Sequence, residues 1–276
     1  MKHAVDLDVP LALDDERAAI TKALWAAASE AKASLYATLD LAAMDEPQRW
    51  LQRLKRRGSA RDLFLSQPEG SAETLAVWLV GLRPDGSPMA DAITIRSIVD
   101  QALQLDCVTW LVSDLALETL AERLSQRLTA STPEGEALFR YYDPRVLPVL
   151  HYACDETQRN SFFALGHSWW YLDAYRCLQG IPIVAASSQD TFVAPMPIRA
   201  VQAAAMQVVS ERHQLVRFLG KRRPMQLVRW SFGQRMAFVE EQDQHAQAEG
   251  LVDFPDRLNY CLNVLDQLVL TTVEQG

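Results

Sequence analysis

Arg140, Asp143 and Arg145 stand within one short segment, Leu138-Phe139-Arg140-Tyr141-Tyr142-Asp143-Pro144-Arg145-Val146-Leu147, and theirs are the side chains whose types and spacing best suit chemistry. The Asp143 carboxylate is flanked by two guanidinium groups, so it is placed to accept forked hydrogen bonds as well as backbone N–H groups. Ala137 to Tyr141 suits a short strand. Asp143 suits a helix N-cap, with Pro144 at the first helical position, where its missing N–H is no loss. Two readings follow: a structural corner held by an ion pair and a cap, or a recognition pocket with Tyr141 and Tyr142 as its aromatic neighbours.

Little else in the chain is laid out for catalysis. His151, His167 and His213 are isolated from cysteines and carboxylates in any ligand or triad spacing, and a packed or surface histidine is the simpler reading of each. There is no Gly-x-Ser-x-Gly elbow, phosphate-binding glycine loop or His-Glu-x-x-His helix. A hydrolytic triad drawn from distant residues stays as an alternative. Cys107, Cys154, Cys177 and Cys261 are widely spaced, which predicts buried reduced thiols with neither a metal nor another cofactor. Lys221-Arg222-Arg223 is a basic knot that suits the carbonyl end of a helix, or else a site for an acidic partner segment. Trp230 and Phe232 are two apart and cannot share one narrow helical stripe, so one of them is a candidate to face a partner, whereas Phe238 reads as core.

The elements that must position these groups follow from periodicity. Asp14-Asp15-Glu16 opens a helix to about Ala31, with acids at its positive end and Ile20, Leu24 and Ala27 or Ala28 on one face. Strands are predicted at Leu35–Leu39, Thr74–Leu82, Val108–Val112 and Ser168–Leu172, and helices around Trp50–Leu54, Ala90–Leu103 and Leu115–Leu128. This alternation indicates an α/β lobe built on a small, mixed and partly parallel sheet. Arg83 to Pro88 supplies a turn. Beyond the less regular stretch from Gly180 to Pro197, three helices are predicted: Ile198 to Lys221, one opened by Pro224 with Leu227, Val228, Met236 and Val239 inward until the polar run Glu240–Gln244, and one opened by Pro255. The expected organisation is therefore an α/β lobe over residues 1–180 and a helical lobe over residues 181–276.

Composition sets outer bounds. A chain of 276 residues with 49% hydrophobic and 22% charged content can bury a sizeable core. Its net charge of −8 argues against a general nucleic-acid binder and against a polybasic membrane-surface protein. The amino terminus lacks the apolar core of a signal peptide, and no apolar run reaches the roughly eighteen residues of a membrane span, so a cytoplasmic protein is expected.

The segment Phe139-Arg140-Tyr141-Tyr142-Asp143-Pro144-Arg145, preceded by Trp110-Leu111-Val112-Ser113 and a helical stretch through Leu120 and Leu124, resembles the signature of the type VI secretion effector chaperones, or adaptors. Leu35-Tyr36-Ala37-Thr38-Leu39-Asp40 is similar to that family's opening strand and its aspartate, although Leu41 and Ala42 stand where the family usually has Gly-Ala. Gln158 to Gly166 resembles its Phe-Phe-Gly turn. The resemblance spans about residues 32–172. It implies a non-catalytic cytoplasmic adaptor that binds a cognate effector and helps load it onto the spike protein of the secretion apparatus. Arg140, Tyr141, Tyr142, Asp143, Pro144 and Arg145 are then the motif, and Arg222, Arg223, Trp230 and Phe232 candidate effector contacts. An immunity protein that neutralises a toxin is the remaining alternative, suggested by negative charge that would suit a basic cleft.

Overall fold

The computed structural model describes residues 13–44, 46–56, 58–64, 77–82, 88–183 and 190–273. The amino-terminal segment, Arg57, residues 74–76 of the expected second strand, residues 83–87 of the expected turn from Arg83 to Pro88 and part of the stretch expected to be irregular, residues 184–189, lie outside them.

Among these residues the chain is mixed α/β. The first part runs α1 (Leu13–Ala31), β1 (Ser34–Asp40), a single 3-10 turn (Leu41–Ala43), α2 (Pro47–Lys55), β2 (Ala60–Asp62), β3 (Val77–Leu82), α3 (Pro88–Gln104), β4 (Val108–Ser113) and α4 (Leu117–Gln126). Next come β5 (Thr129–Thr132), β6 (Gly135–Leu138), α5 (Val146–Ala153), α6 (Glu156–Phe163), β7 (Ser168–Leu172), β8 (Leu178–Pro182) and β9 (Met196–Pro197). Four helices follow: α7 (Ala200–Arg222), α8 (Pro224–Leu227), α9 (Phe232–Ala248) and α10 (Phe254–Val273).

A six-stranded sheet in the order β2-β3-β1-β4-β7-β8 organises the first part, and every neighbouring pair in it is antiparallel. This corrects the expectation of parallel pairing, and the reason is topological. β3, α3 and β4 form a strand-helix-strand crossover whose two strands do run the same way, but β1 is inserted between them and opposes both. Alternating strands and helices therefore signalled a crossover correctly without its strands being neighbours. Among the described residues, parallel pairing occurs only between β5 and β9, in a separate three-stranded sheet.

The period-two alternation of side chains divides the core into two layers. Leu35, Ala37 and Leu39 of β1, with Trp110 of β4, face Ile20 and Leu24 of α1, Leu54 of α2 and Ile98 of α3. Tyr36, Leu79 and Leu111 face the opposite side, where Leu120 and Leu124 of α4, Leu147 and Leu150 of α5 and Phe162 and Phe163 of α6 cover them. Each such large side chain withdrawn from water contributes roughly 1.5–3 kcal/mol. The adjacent tryptophans follow the same rule: Trp169 is fully buried in the second layer, while Trp170 packs on the first. Trp170 lies opposite Gly180 on β8, where an added Cβ would stand 2.9 Å from its ring.

A third core joins the carboxyl-terminal helices through Leu215 and Leu219 of α7, Leu227 of α8, Met236 and Val239 of α9, and Leu258, Leu262 and Leu265 of α10. The first half of α7 instead packs beside the second layer, through Ala203 and Met206, and its buried Gln202 donates to the Ala153 carbonyl and to Gln158. One helix thus serves two cores. The expected single helix from Pro224 is in fact two, because the chain leaves helical geometry after α8 and restarts at Ser231, which caps α9 reciprocally with Gln234. Val228 falls in that break and is exposed, contrary to its expected inward position. The polar run Glu240–Gln244 does not end the helix either. It crosses the middle of α9, and Asp243 is buried there to receive Arg212 and Arg257.

Candidate functional site

The corner between β6 and α5 is built by hydrogen bonds that Asp143 collects. Its Oδ1 accepts from the Arg145 backbone N–H at 3.0 Å and from Arg145 Nε at 2.7 Å, and its Oδ2 accepts from Arg145 Nη2 at 2.5 Å. Its carbonyl accepts from the N–H groups of Val146 and Leu147. Asp143 therefore caps the turn carrying Pro144, as its sequence position predicts, but regular helix begins at Val146. The expected strand is also displaced: β6 ends at Leu138, and Tyr141 and Tyr142 lie in a turn.

The fourth member comes from the sheet. Arg140 Nη2 donates to Asp40 Oδ2 at 2.8 Å and stands 3.5 Å from Asp143 Oδ2, so one guanidinium spans two carboxylates. Asp40 ends β1, and its other oxygen accepts from the Ala42 N–H to cap the 3-10 turn. Both acid side chains are 3% exposed, whereas Arg140 is 46% exposed. Burial raises the Asp40 pKa above the usual carboxylate range, against the pull of Arg140 and with the help of the Asp143 charge. The acids are turned inward, and Arg140 is the member of the network that most meets solvent.

The structure brings Arg140, Asp143 and Arg145 together, but it does not place the tyrosines around a pocket. Tyr141 is fully buried, donates to the Leu124 carbonyl at 2.9 Å and meets Phe162 and Trp169 edge-on. Burial holds its phenol far above the ordinary value. Tyr142 is also buried, and its phenol is pushed up to about 12, chiefly by desolvation and then by the Asp40 charge. These rings are core that fixes the corner in place. Pro144 is buried with them.

The carboxyl-terminal candidates separate. Arg223 is engaged within the protein, donating from Nε and Nη2 to both oxygens of Asp266 at 2.8 Å, which ties the end of α7 to α10. Arg222 is exposed. Trp230 and Phe232 are both half-buried: Trp230 meets Phe238 edge-on, and Phe232 lies beneath the Arg176 guanidinium at 4.8 Å.

Sequence reasoning missed a fully buried cation. Arg127, 0% exposed at its side chain, donates to both oxygens of Asp190 at 2.7 and 3.0 Å and to the carbonyls of Arg123, Ser161 and Phe162. It also stacks on Phe192 at 4.3 Å, so it clamps the segment before β9 onto the second core layer. No local pattern marked a pair separated by 63 positions. The histidines have no hydroxyl or thiol partner among the described residues: His167 contacts Asp114 at 2.7 Å, His213 lies 3.8 Å from Asp106, and His151 meets Tyr152 and Phe163 edge-on. Cys107, Cys154 and Cys261 are buried free thiols as expected, while Cys177 is exposed.

Residues 35–161 match the model of a family described as a domain of unknown function, DUF4123, a family associated with type VI secretion effector adaptors. The match begins within β1 and includes all four members of the Asp40, Arg140, Asp143 and Arg145 network. No curated protein and no solved structure matches the chain. No helix among the described residues is long and apolar enough to cross a membrane.

Proposed function

We propose that this protein is a non-catalytic adaptor that binds a type VI secretion effector in the bacterial cytoplasm and assists its loading onto the spike protein. The observation that carries this reading is the coincidence of the family match with the four-member network: the matched residues include Asp40 at one end of a buried ion-pair cluster and Arg145 at the other. The role needs a rigid body that presents polar recognition surface, and the network supplies fixed charges on a sheet-backed corner. The test is co-purification of the tagged chain with the effector and spike encoded beside it. A stable complex containing both supports the reading. A chain that retains neither, or one that turns over substrate and loses that activity on replacing a single histidine, overturns it.

A further inference from the structure

Arg145 also borders a groove of about 350 Å3 between the sheet's α5 corner and the carboxyl-terminal helices. Arg176, Arg217, Lys221 and Arg235 line the same groove, against Asp106 as the carboxylate on its wall. On a chain of net charge −8, this gathers positive potential into one concave place. Part of that charge is already answered. Arg176 pairs with Asp106 at 2.7 Å, Arg145 pairs with Asp143, and Arg235 donates to the carbonyls of Leu227 and Trp230.

Arg217 and Lys221 are not answered. They stand one turn apart on α7, both exposed, with no carboxylate or hydrogen-bond partner among the described residues. A second, independent observation lies beneath them. The His213 side chain is only 10% exposed, yet its Nδ1 makes no hydrogen bond and sits 3.8 Å from the nearest Asp106 oxygen. Buried polar atoms in proteins are overwhelmingly paired, so this nitrogen leaves the wall beneath the two cations one polar contact short. The groove is also partly apolar, through Leu105, Val216 and the Phe232 ring. Inorganic phosphate is typically held by converging backbone N–H groups, whereas these cations are strung along a helix beside an apolar wall. That arrangement suits a chain with alternating acids and apolar side chains.

We propose that this groove receives an acidic peptide segment, whose carboxylates engage Arg217 and Lys221 and whose apolar side chains lie on the Phe232 ring. The proposal rests on the adaptor reading and gives the partner a chemistry.

The experiment is fluorescence anisotropy of the full chain with a fluorescein-labelled Glu-Leu-Glu-Glu-Phe-Glu peptide, the matching glutamine peptide, and inorganic phosphate as competitor. The acidic peptide should bind and the glutamine peptide should not. Arg217→Glu with Lys221→Glu should weaken binding about tenfold or more, since two attractive contacts become repulsive. Lys22→Glu, an exposed charge change on α1 outside the groove, should leave it within about twofold, as distant surface charges are screened. Both replaced groove residues are exposed, so an unchanged melting temperature verifies that the double variant is folded. Equal binding of the two peptides, full displacement by millimolar phosphate, or indifference to the double charge reversal overturns the assignment. Should the peptide be ignored while the wild-type chain still retains its effector, the groove proposal falls and the adaptor reading stands. Should the peptide bind as stated while neither effector nor spike is retained, the reverse holds.

Discussion

Arg140 donates to Asp40 across 2.8 Å and so joins the end of β1 to a turn 100 positions away, with the same guanidinium reaching the second buried carboxylate, Asp143, at 3.5 Å. Arg140→Ala would leave Asp40 and Asp143 facing each other with one guanidinium fewer. The expected loss is about 1–3 kcal/mol at neutral pH, the cost of a stranded buried acceptor. Burial already raises the folded pKa of Asp40 above the ordinary aspartate value. A carboxyl with a raised folded pKa favours the folded state increasingly as pH falls through that pKa, because the folded form takes up the proton first. The deficit of the variant should therefore shrink on acidification. Denaturant titrations at pH 7 and pH 5 measure it, and a deficit that grows at pH 5 would contradict the network's electrostatics.

Asp143→Ala tests the cap. It removes the acceptor of three bonds from Arg145 and should cost about 1–3 kcal/mol. Because Arg145 is partly exposed, water can take over some of its donors, which favours the lower half of that range. A thermal melt coincident with wild type would show that the corner does not depend on this residue.

How far the sequence revealed this arrangement can be judged from these residues. Asp143 was legible as a cap because the Asp-Pro step is a local signal, and Asp40 stood out only through the family resemblance, one residue beyond the strand read from Leu35 to Leu39. Their meeting was not, since it depends on the register of β1 within the sheet. The sheet's antiparallel order was equally hidden: the segments β3, α3 and β4 read identically whether or not β1 lies between the strands. Val228 was misplaced for a different reason. Ser231 and Gln234 carry the spacing of a reciprocal cap, a restart signal that reading Leu227, Val228 and Met236 as one inward face passed over.

Asp190→Ala should be more damaging than either corner variant. It removes the carboxylate that accepts two bonds from a guanidinium with no solvent exposure, and an uncompensated buried charge costs roughly 3–5 kcal/mol. The segment held by Arg127 should also open first, so limited proteolysis should cut near residues 190–198 in the variant before any other described region. Cleavage at the same sites and rates as wild type would show that Arg127 does not anchor this strand.

Gly166→Ala probes the close approach of the chain to β4. A Cβ at Gly166 would lie 2.1 Å from the Val112 carbonyl oxygen, which is bonded to the His167 N–H and cannot retreat freely. Overpacking of this kind typically costs about 1–3 kcal/mol, so a lowered denaturant midpoint with an unchanged slope is expected. A variant as stable as wild type would mean that the loop before β7 shifts without penalty.

His213 should impose a pH dependence on stability. Burial lowers its pKa to about 4, helped by Arg145 and Arg176 and opposed by Asp106 and Asp143. Phe232 of α9 packs against its ring and adds no charge. A histidine whose folded pKa lies below its unfolded value near 6.5 is held neutral by folding. Its stabilisation is complete above about pH 6.5 and is lost as pH falls toward 4, on the order of 2 kcal/mol across the window. His213→Gln should flatten the melting temperature between pH 7 and pH 4.5 relative to wild type. Parallel curves for the two proteins would show that another group governs that range.

Arg222 and Arg223 look alike in sequence, and the structure predicts that they will behave differently. Arg223 holds both oxygens of Asp266, which lowers the Asp266 pKa to about 2, whereas Arg222 is exposed beside it. Arg223→Glu would set two carboxylates against each other across α7 and α10. It should lower the melting temperature, and adding Asp266→Arg should recover part of the loss by restoring an opposite pair. Arg222→Glu touches no such pair, so its stability should stay within about 0.5 kcal/mol of wild type. Any effect of Arg222→Glu on effector retention is then a recognition effect, strongest at low salt, where charges on the surface are least screened. If retention falls for Arg223→Glu in proportion to its lost stability and not at all for Arg222→Glu, the basic end of α7 is a structural cap, and effector contact must be sought on other surfaces.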